Sequence, residues 1–181
     1  MNITDILVPL YKANRISNQK LYELFSKLPP LKFHELTGSE LGSLASLVDH
    51  CLKVDLSWIG RIQAIAVHSA KAQAVLDEVK PEPRGTMDFS TVDEWWTKRR
   101  KADAFYEELS KNLSAEDSER VLTFAGKDGV ERTMKLGIGL IYLSDHNTHH
   151  RGAIAQALDV FNIKNSPFVL NPVLTNPQYE G

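Results

Sequence analysis

Apolar residues between Leu44 and Ile62 recur at the three- and four-residue steps of an α-helix. The stripe consists of Leu44, Leu47, Val48, Cys51, Val54, Trp58 and Ile62. Residues at this spacing lie on one face of a helix, and a face this apolar must be buried against other elements. The pattern predicts a helix that begins near Leu44 and runs on to about Leu76, within a mainly α protein.

Three other segments have helical signals. An early helix is predicted to end near Lys27, because an apolar repeat stops at Pro29 and Pro30. Ser90 or Thr91 can cap a third helix that continues to Leu113. The segment from Ile138 to Phe161 is apolar on nearly all sides, which predicts a last helix buried between the others.

The remaining segments indicate a hairpin, a loop and a tail. Val121–Phe124 and Val130–Met134 flank an Asp-Gly pair, which predicts a small β-hairpin before the last helix. Lys80–Gly85 is rich in proline and polar residues, so we expect a surface loop over a pocket, with substrate entering beside it. We predict one helical domain over residues 1–165 and an extended tail over 166–181, packed on the domain, because prolines recur in the tail.

Length and composition exclude several classes of protein. The chain has 181 residues, 43% hydrophobic and 24% charged, as expected for one globular domain. A formal charge of -2 gives no footprint for nucleic acid. The sequence has no uncharged run of about 18 apolar residues, so it predicts no membrane span. No basic segment precedes the first apolar run, so it predicts no secretory signal. The single cysteine, Cys51, excludes an internal disulfide, so we predict a cytoplasmic protein.

The histidines of the last predicted helix carry the strongest chemical signal. His146 and His150 are four residues apart, so both imidazoles project from one face and can chelate one metal ion. Asn147 stands where a metalloprotease of the H-E-x-x-H type has its glutamate, which excludes that class. His50, at the edge of the second helix's apolar stripe, is the best candidate for a third ligand. His34 and His68 lie in loop or polar surroundings and are interpreted as ordinary exposed histidines.

Other residues are candidates for the surroundings of the metal. Asp55 falls inside an apolar stripe, so it either has a buried partner, for which Arg151 is the candidate, or lies at the stripe's edge. Trp58 is a core anchor first and a pocket wall second. His149 is turned away from the histidine pair and is assigned to the pocket wall or the surface. Cys51 is interpreted as core packing, and the basic run Lys98–Lys101 as a solvent-exposed helix face.

Over most of its length the chain resembles the DinB-like, or YfiT-like, four-helix-bundle metalloproteins. The residues that carry the resemblance are Tyr11 and Asn14, then Leu47–His50 with Asp55 and Trp58, and finally His146–Gly152. The resemblance implies an up-down-down-up bundle, often dimeric, in which His50, His146 and His150 bind a divalent metal. Aromatic residues at Trp95, Trp96 and Phe105 are also more numerous than one buried stripe needs, which favours a homodimer.

The resemblance also implies the type of chemistry, since characterised relatives include transferases and isomerases that use small thiols. Three neutral imidazoles leave the charge of a divalent cation uncompensated, so a bound thiol or water would lose its proton near neutral pH. We therefore expect a metal-dependent thiol transferase or hydrolase acting on a small molecule. Zinc is the first candidate, and nickel, iron and manganese are alternatives. The competing hypotheses are a non-catalytic metal-binding stress-response module and a bundle that binds no metal.

Overall fold

The computed structural model describes residues 2–78, 89–126, 128–163 and 170–175, and it is mainly helical over them. The longer helices are α1 (Ile3–Phe25), α3 (Leu44–Gln63), α5 (Val92–Asn112) and α7 (Leu136–Val160). The shorter helices are α2 (Pro30–His34), α4 (Ala70–Glu78), α6 (Ala115–Ser118) and α8 (Leu170–Thr175). The strands are β1 (Leu36–Ser39), β2 (Gly42–Ser43), β3 (Val121–Ala125) and β4 (Glu131–Lys135).

The long helices pack so that α1 and α3 each contact both α5 and α7. Their buried apolar side chains form two clusters. One contains Leu7, Trp58, Tyr106 and Leu140, and the other contains Leu21, Leu47, Trp95 and Ile154. Each cluster therefore draws on one half of every long helix.

A buried polar layer occupies the helix segments between the two apolar clusters. It includes Asn14, Asn18, Asp55, Arg99, Asp103, Asn147 and Arg151, each of them at most 7% exposed. Buried polar groups are stable only when they are hydrogen-bonded or paired. The layer must therefore be held by specific contacts between these side chains.

The predicted hairpin before the last long helix is confirmed. Strands β3 and β4 pair antiparallel from Val121 opposite Lys135 to Ala125 opposite Glu131. Gly129 has a φ of +76°, a conformation that glycine adopts without a side-chain clash. A second short pair, β1 with β2, lies just before α3 and has no counterpart in the sequence analysis.

The prediction that the second helix runs on to Leu76 is wrong. Helix α3 ends at Gln63, and α4 begins separately at Ala70. Between them, the backbone N–H groups of His68 and Ser69 donate to the Asp117 carboxylate. A distant carboxylate thus binds amides that a continuous helix would use internally.

Part of the predicted tail is also different. Residues Leu170–Thr175 form the helix α8, which contacts α1. The prolines of this segment had predicted an extended chain instead. The predicted loop over Lys80–Gly85 and the other tail positions from 166 onward lie outside the described residues. None of the described helices has the length and apolar character to cross a membrane.

Candidate metal centre

The three predicted ligands come together between α3 and α7. His50 Nε2 lies 3.2 Å from His146 Nε2. The ring of His150 has its centroid 4.6 Å from that of His50 and 4.5 Å from that of His146. One nitrogen from each residue can be chosen so that all three lie within 4.8 Å of one another.

This spacing fits a shared cation. Two nitrogens that each lie about 2.1 Å from a tetrahedral zinc are separated by roughly 3.4 Å, close to the 3.2 Å between His50 and His146. The His146 Nδ1 atom is buried and has no hydrogen-bond partner among the described residues. Because Nδ1 is buried, a cation can reach His146 only at Nε2, which faces His50.

The surroundings keep His146 and His150 neutral. Burial, together with the nearby His150, His50 and His149, lowers the pKa of His146 to about 4, while Asp145 opposes that shift. Burial, with His50 and His149, also lowers the pKa of His150, while Glu40 opposes that shift. Neutral imidazole is the form that binds a metal, so this pair is prepared for coordination near neutral pH.

His149 and Trp58 lie around the cluster in different ways. His149 is exposed, and its ring centroid is 4.9 Å from that of His150. Trp58 is buried in the core, with its ring 5.6 Å from that of Tyr142. Tyr142 in turn lies 6.1 Å from the His146 ring, so Trp58 reaches the cluster through Tyr142. His34 and His68 are exposed, as predicted.

The predicted ion pair between Asp55 and Arg151 is wrong, although Asp55 is buried. Arg99 Nη1 donates to Asp55 Oδ2 at 2.5 Å. Arg151 instead donates to the Asn14 amide oxygen and to Thr148 Oγ1. Burial raises the pKa of Asp55, and Arg99, Asn147 and Arg151 oppose that rise.

Arg99 also overturns the interpretation of Lys98–Lys101 as a wholly exposed face. Arg99 is 1% exposed, and its Nη2 atom lies 2.8 Å from Asp103 Oδ1. The sequence contained a signal for this: Trp95, Arg99, Ala102 and Tyr106 follow the same three- and four-residue spacing. An arginine within an apolar stripe indicates a buried partner, and here it has two.

Asparagines complete the polar layer, and sequence reasoning gave none of them a contact there. Asn147 Nδ2 donates to Asp55 Oδ1 and Oδ2 at 3.0 and 3.2 Å. Asn18 Nδ2 donates to Asp103 Oδ1 and Oδ2 at 2.9 and 3.1 Å, and Asn14 Nδ2 to Asp103 Oδ1 at 3.2 Å. Asn14 and Asn18 are four residues apart on α1, and Asn147 stands alone on α7, but nothing in the sequence identifies the carboxylates they bind.

Cys51 and the aromatic residues belong mainly to the core. Burial raises the pKa of the Cys51 thiol to about 12, which agrees with packing rather than ligation. Trp95 and Phe105 are 1% and 4% exposed, so they provide no surface for a partner. Trp96 is half-buried and stacks on Tyr22. The aromatic argument for a homodimer is therefore wrong.

Comparison with known proteins places the chain in a family. No curated protein sequence matches it. The model of the DinB family matches residues 2–160, which include α1 through α7 and all three clustered histidines. The chain belongs to the DinB family.

Proposed function

We propose that His50, His146 and His150 hold a divalent metal ion, and that the protein is an enzyme of the thiol transferase or hydrolase type. The proposal rests on one observation: three imidazole nitrogens from two helices lie within 4.8 Å of one another. Three protein ligands with a further position open to a small molecule are typical of catalytic rather than structural zinc. Zinc is the first candidate, with nickel, iron and manganese as alternatives.

The chain's own residues would bind the cation and form the wall of the pocket around it. Imidazole ligands add no negative charge to a divalent cation, so a thiol or water bound beside it would have its pKa lowered toward neutrality. The three histidines are half-buried, which leaves one side of the cluster open to a small substrate. Tyr142 and the exposed His149 flank that cluster and would form part of the pocket wall.

Metal content is the first test. Protein purified without a histidine tag should contain close to one divalent ion per chain by elemental analysis. His150→Ala should lose that ion, because it removes one of three ligands. His149→Ala is the matched control, since it removes the neighbouring exposed imidazole, and it should keep the ion. Metal-free wild-type protein that also takes up none on titration would disprove the proposed site.

Turnover separates an enzyme from a metal-binding stress-response module. Metal-loaded protein should consume a test electrophile with at least one small thiol, or hydrolyse it, and folded His150→Ala should not. If wild type and His150→Ala show equal turnover, the enzyme proposal fails. A metal that greatly raises the melting temperature without any turnover would favour the module, because metal binding adds to native stability.

We also propose the order of the helices, the oligomeric state of the protein and its location in the cell. The up-down-down-up order is supported by the clusters, where the first halves of α1 and α7 share one core with the second halves of α3 and α5. A homodimer is supported only by family membership. A cytoplasmic location is supported by the single buried, unpaired Cys51.

A further inference from the structure

We propose that Asn147 is a positioning residue: its hydrogen bonds to Asp55 fix the rotation of α7 against α3, so that His146 and His150 face His50. The inference rests on the proposed metal site. It assigns no chemical step to Asn147. The role of the Asn147 side chain is to align α7 with α3 so that the three histidines can share one cation.

Asn147 joins the two helices that carry the ligands. It follows His146 directly and precedes His150 by three residues on α7, while Asp55 lies five residues after His50 on α3. The Asn147 amide nitrogen donates to both Asp55 oxygens, at 3.0 and 3.2 Å. It also donates to the Leu143 carbonyl at 3.0 Å, so the side chain is tied to its own helix as well.

Asp55 is a firm anchor because it is held from a third helix. Its side chain is 2% exposed and is paired with Arg99 of α5 at 2.5 Å. The Asp55 backbone carbonyl accepts a hydrogen bond from Tyr106, also on α5, at 2.6 Å. Side chain and backbone of Asp55 are both restrained, so the Asn147 contact positions α7 against a fixed point.

The cluster needs such a directional contact. Ligand atoms lie about 5–6 Å from a helix axis, so a 20° rotation of α7 would move them by roughly 2 Å. Metal–ligand distances tolerate only about 0.2 Å. Apolar packing of α7 has little directional preference, whereas a pair of hydrogen bonds to one carboxylate specifies both rotation and axial position.

The test compares two asparagines with the same local chemistry. Asn147→Ala cuts the bridge between α7 and α3. Asn18→Ala cuts the analogous pair of bonds to Asp103, from a residue that is 5% exposed against 4% for Asn147, but on α1, which carries no ligand. Affinity for Zn²⁺ and Co²⁺ is measured by competition with a chelating dye, and the absorption spectrum of the Co²⁺ form reports ligand geometry.

We expect Asn147→Ala to weaken metal binding by about 10–100-fold, the range seen when residues that orient metal ligands are removed. Its Co²⁺ spectrum should change, while Asn18→Ala keeps the wild-type spectrum and an affinity within about threefold. If Asn147→Ala does not fold, Asn147→Ser serves instead, because its shorter side chain also fails to span to Asp55.

The outcomes separate this inference from the proposed function. Wild-type protein that binds neither ion overturns the metal site itself, and the inference with it. Wild-type binding with equal losses in Asn147→Ala and Asn18→Ala overturns only the positioning role, since general loss of stability would then explain both variants.

Discussion

The Arg99 side chain neutralises two buried carboxylates in the middle of the helix packing. Its guanidinium lies 2.5 Å from Asp55 and 2.8 Å from Asp103, and all three side chains are at most 2% exposed. Burial lowers the pKa of Arg99, but the two aspartates outweigh that effect and raise it, so the arginine stays charged. Arg99 is the cation that contacts both of these carboxylates directly.

We expect Arg99→Met to cost about 3–5 kcal/mol of unfolding free energy, because it leaves buried carboxylates without their partner. Urea denaturation at neutral pH measures the loss. Arg100→Met is the matched control, since Arg100 is the exposed neighbour on the same helix, and its effect should stay within about 0.5 kcal/mol. Similar losses for both variants would show that the pairing adds little.

For individual residues, the sequence predicted the candidate metal ligands better than it predicted the contacts of the polar residues around them. The spacing of His146 and His150, and the position of His50 beside an apolar stripe, indicated a cluster that the structure brings together. Arg151 was the wrong partner for Asp55, although α7 and α5 both contact α3. The choice of Arg99 depends on which guanidinium reaches the Asp55 carboxylate, and no local sequence pattern contains that information.

Helix α7 approaches α3 closely at a single glycine. A Cβ atom on Gly139 would lie 2.7 Å from Cζ3 of the buried Trp58 ring. Gly152, on the same helix, has open space where its Cβ would be. Gly139 thus serves close helix packing, whereas Gly152 only lowers helix propensity.

The two glycines make a matched pair for substitution. We expect Gly139→Ala to destabilise the protein by about 1–3 kcal/mol, because the Trp58 ring must move within a packed core. Gly152→Ala should stabilise it by about 0.5–1 kcal/mol through helix propensity. Chemical denaturation of both variants measures the difference, and a stabilised Gly139→Ala would show that α7 does not pack on Trp58 as described.

The break between α3 and α4 depends on a distant carboxylate. Asp117, at the end of its capping box with Ser114, accepts the Ser114 N–H at 2.9 Å and the Ser69 N–H at 3.2 Å, along with the His68 N–H. Burial raises its pKa, but these hydrogen bonds outweigh burial and hold the pKa below its usual value. Sequence periodicity alone favoured one long helix because Asp117 lies some distance along the chain.

We expect Asp117→Asn to lose about 1–3 kcal/mol at neutral pH, the value of hydrogen bonds to a charged group. Because the native pKa is lowered, this contribution is complete above the unfolded value near 3.9 and disappears as pH falls through the native pKa. Urea denaturation between pH 7 and pH 2.5 should therefore show the two proteins converging in acid. Glu116→Gln, which removes the exposed neighbouring carboxylate, is the control for the loss of one negative charge at neutral pH.

Across the whole molecule, two apolar clusters enclose a polar layer that touches all four long helices. Helical periodicity predicted α1, α5 and α7 closely, because each has a stripe or a cap that is readable locally. The polar layer could not be predicted, since Asn18, Asp55, Arg99 and Asn147 come from four separate helices. Their meeting depends on how the four long helices pack against one another.

A small cavity adjoins this layer and is lined by both polar and apolar side chains. It has a volume of about 10 Å³, and its lining combines Asn18, Trp95, Arg99, Asn147 and Arg151 with the apolar Leu21, Val48, Cys51 and Ile154. Trp95 Nε1, Arg99 Nε and Arg151 Nε are buried and have no hydrogen-bond partner among the described residues. The amide nitrogens of Asn18 and Asn147 donate to the carboxylates of Asp103 and Asp55.

We expect this cavity to hold one ordered water molecule, because one water needs about this volume and two to four polar partners. A high-resolution crystal structure should show a single density peak within hydrogen-bond distance of Trp95 Nε1, and the Trp95 indole proton should show a magnetisation-exchange peak with water. Trp95→Phe removes one donor and should weaken the peak. Anomalous density after bromide soaking would instead identify an anion, and a cavity without density would mean that the donors turn to protein partners.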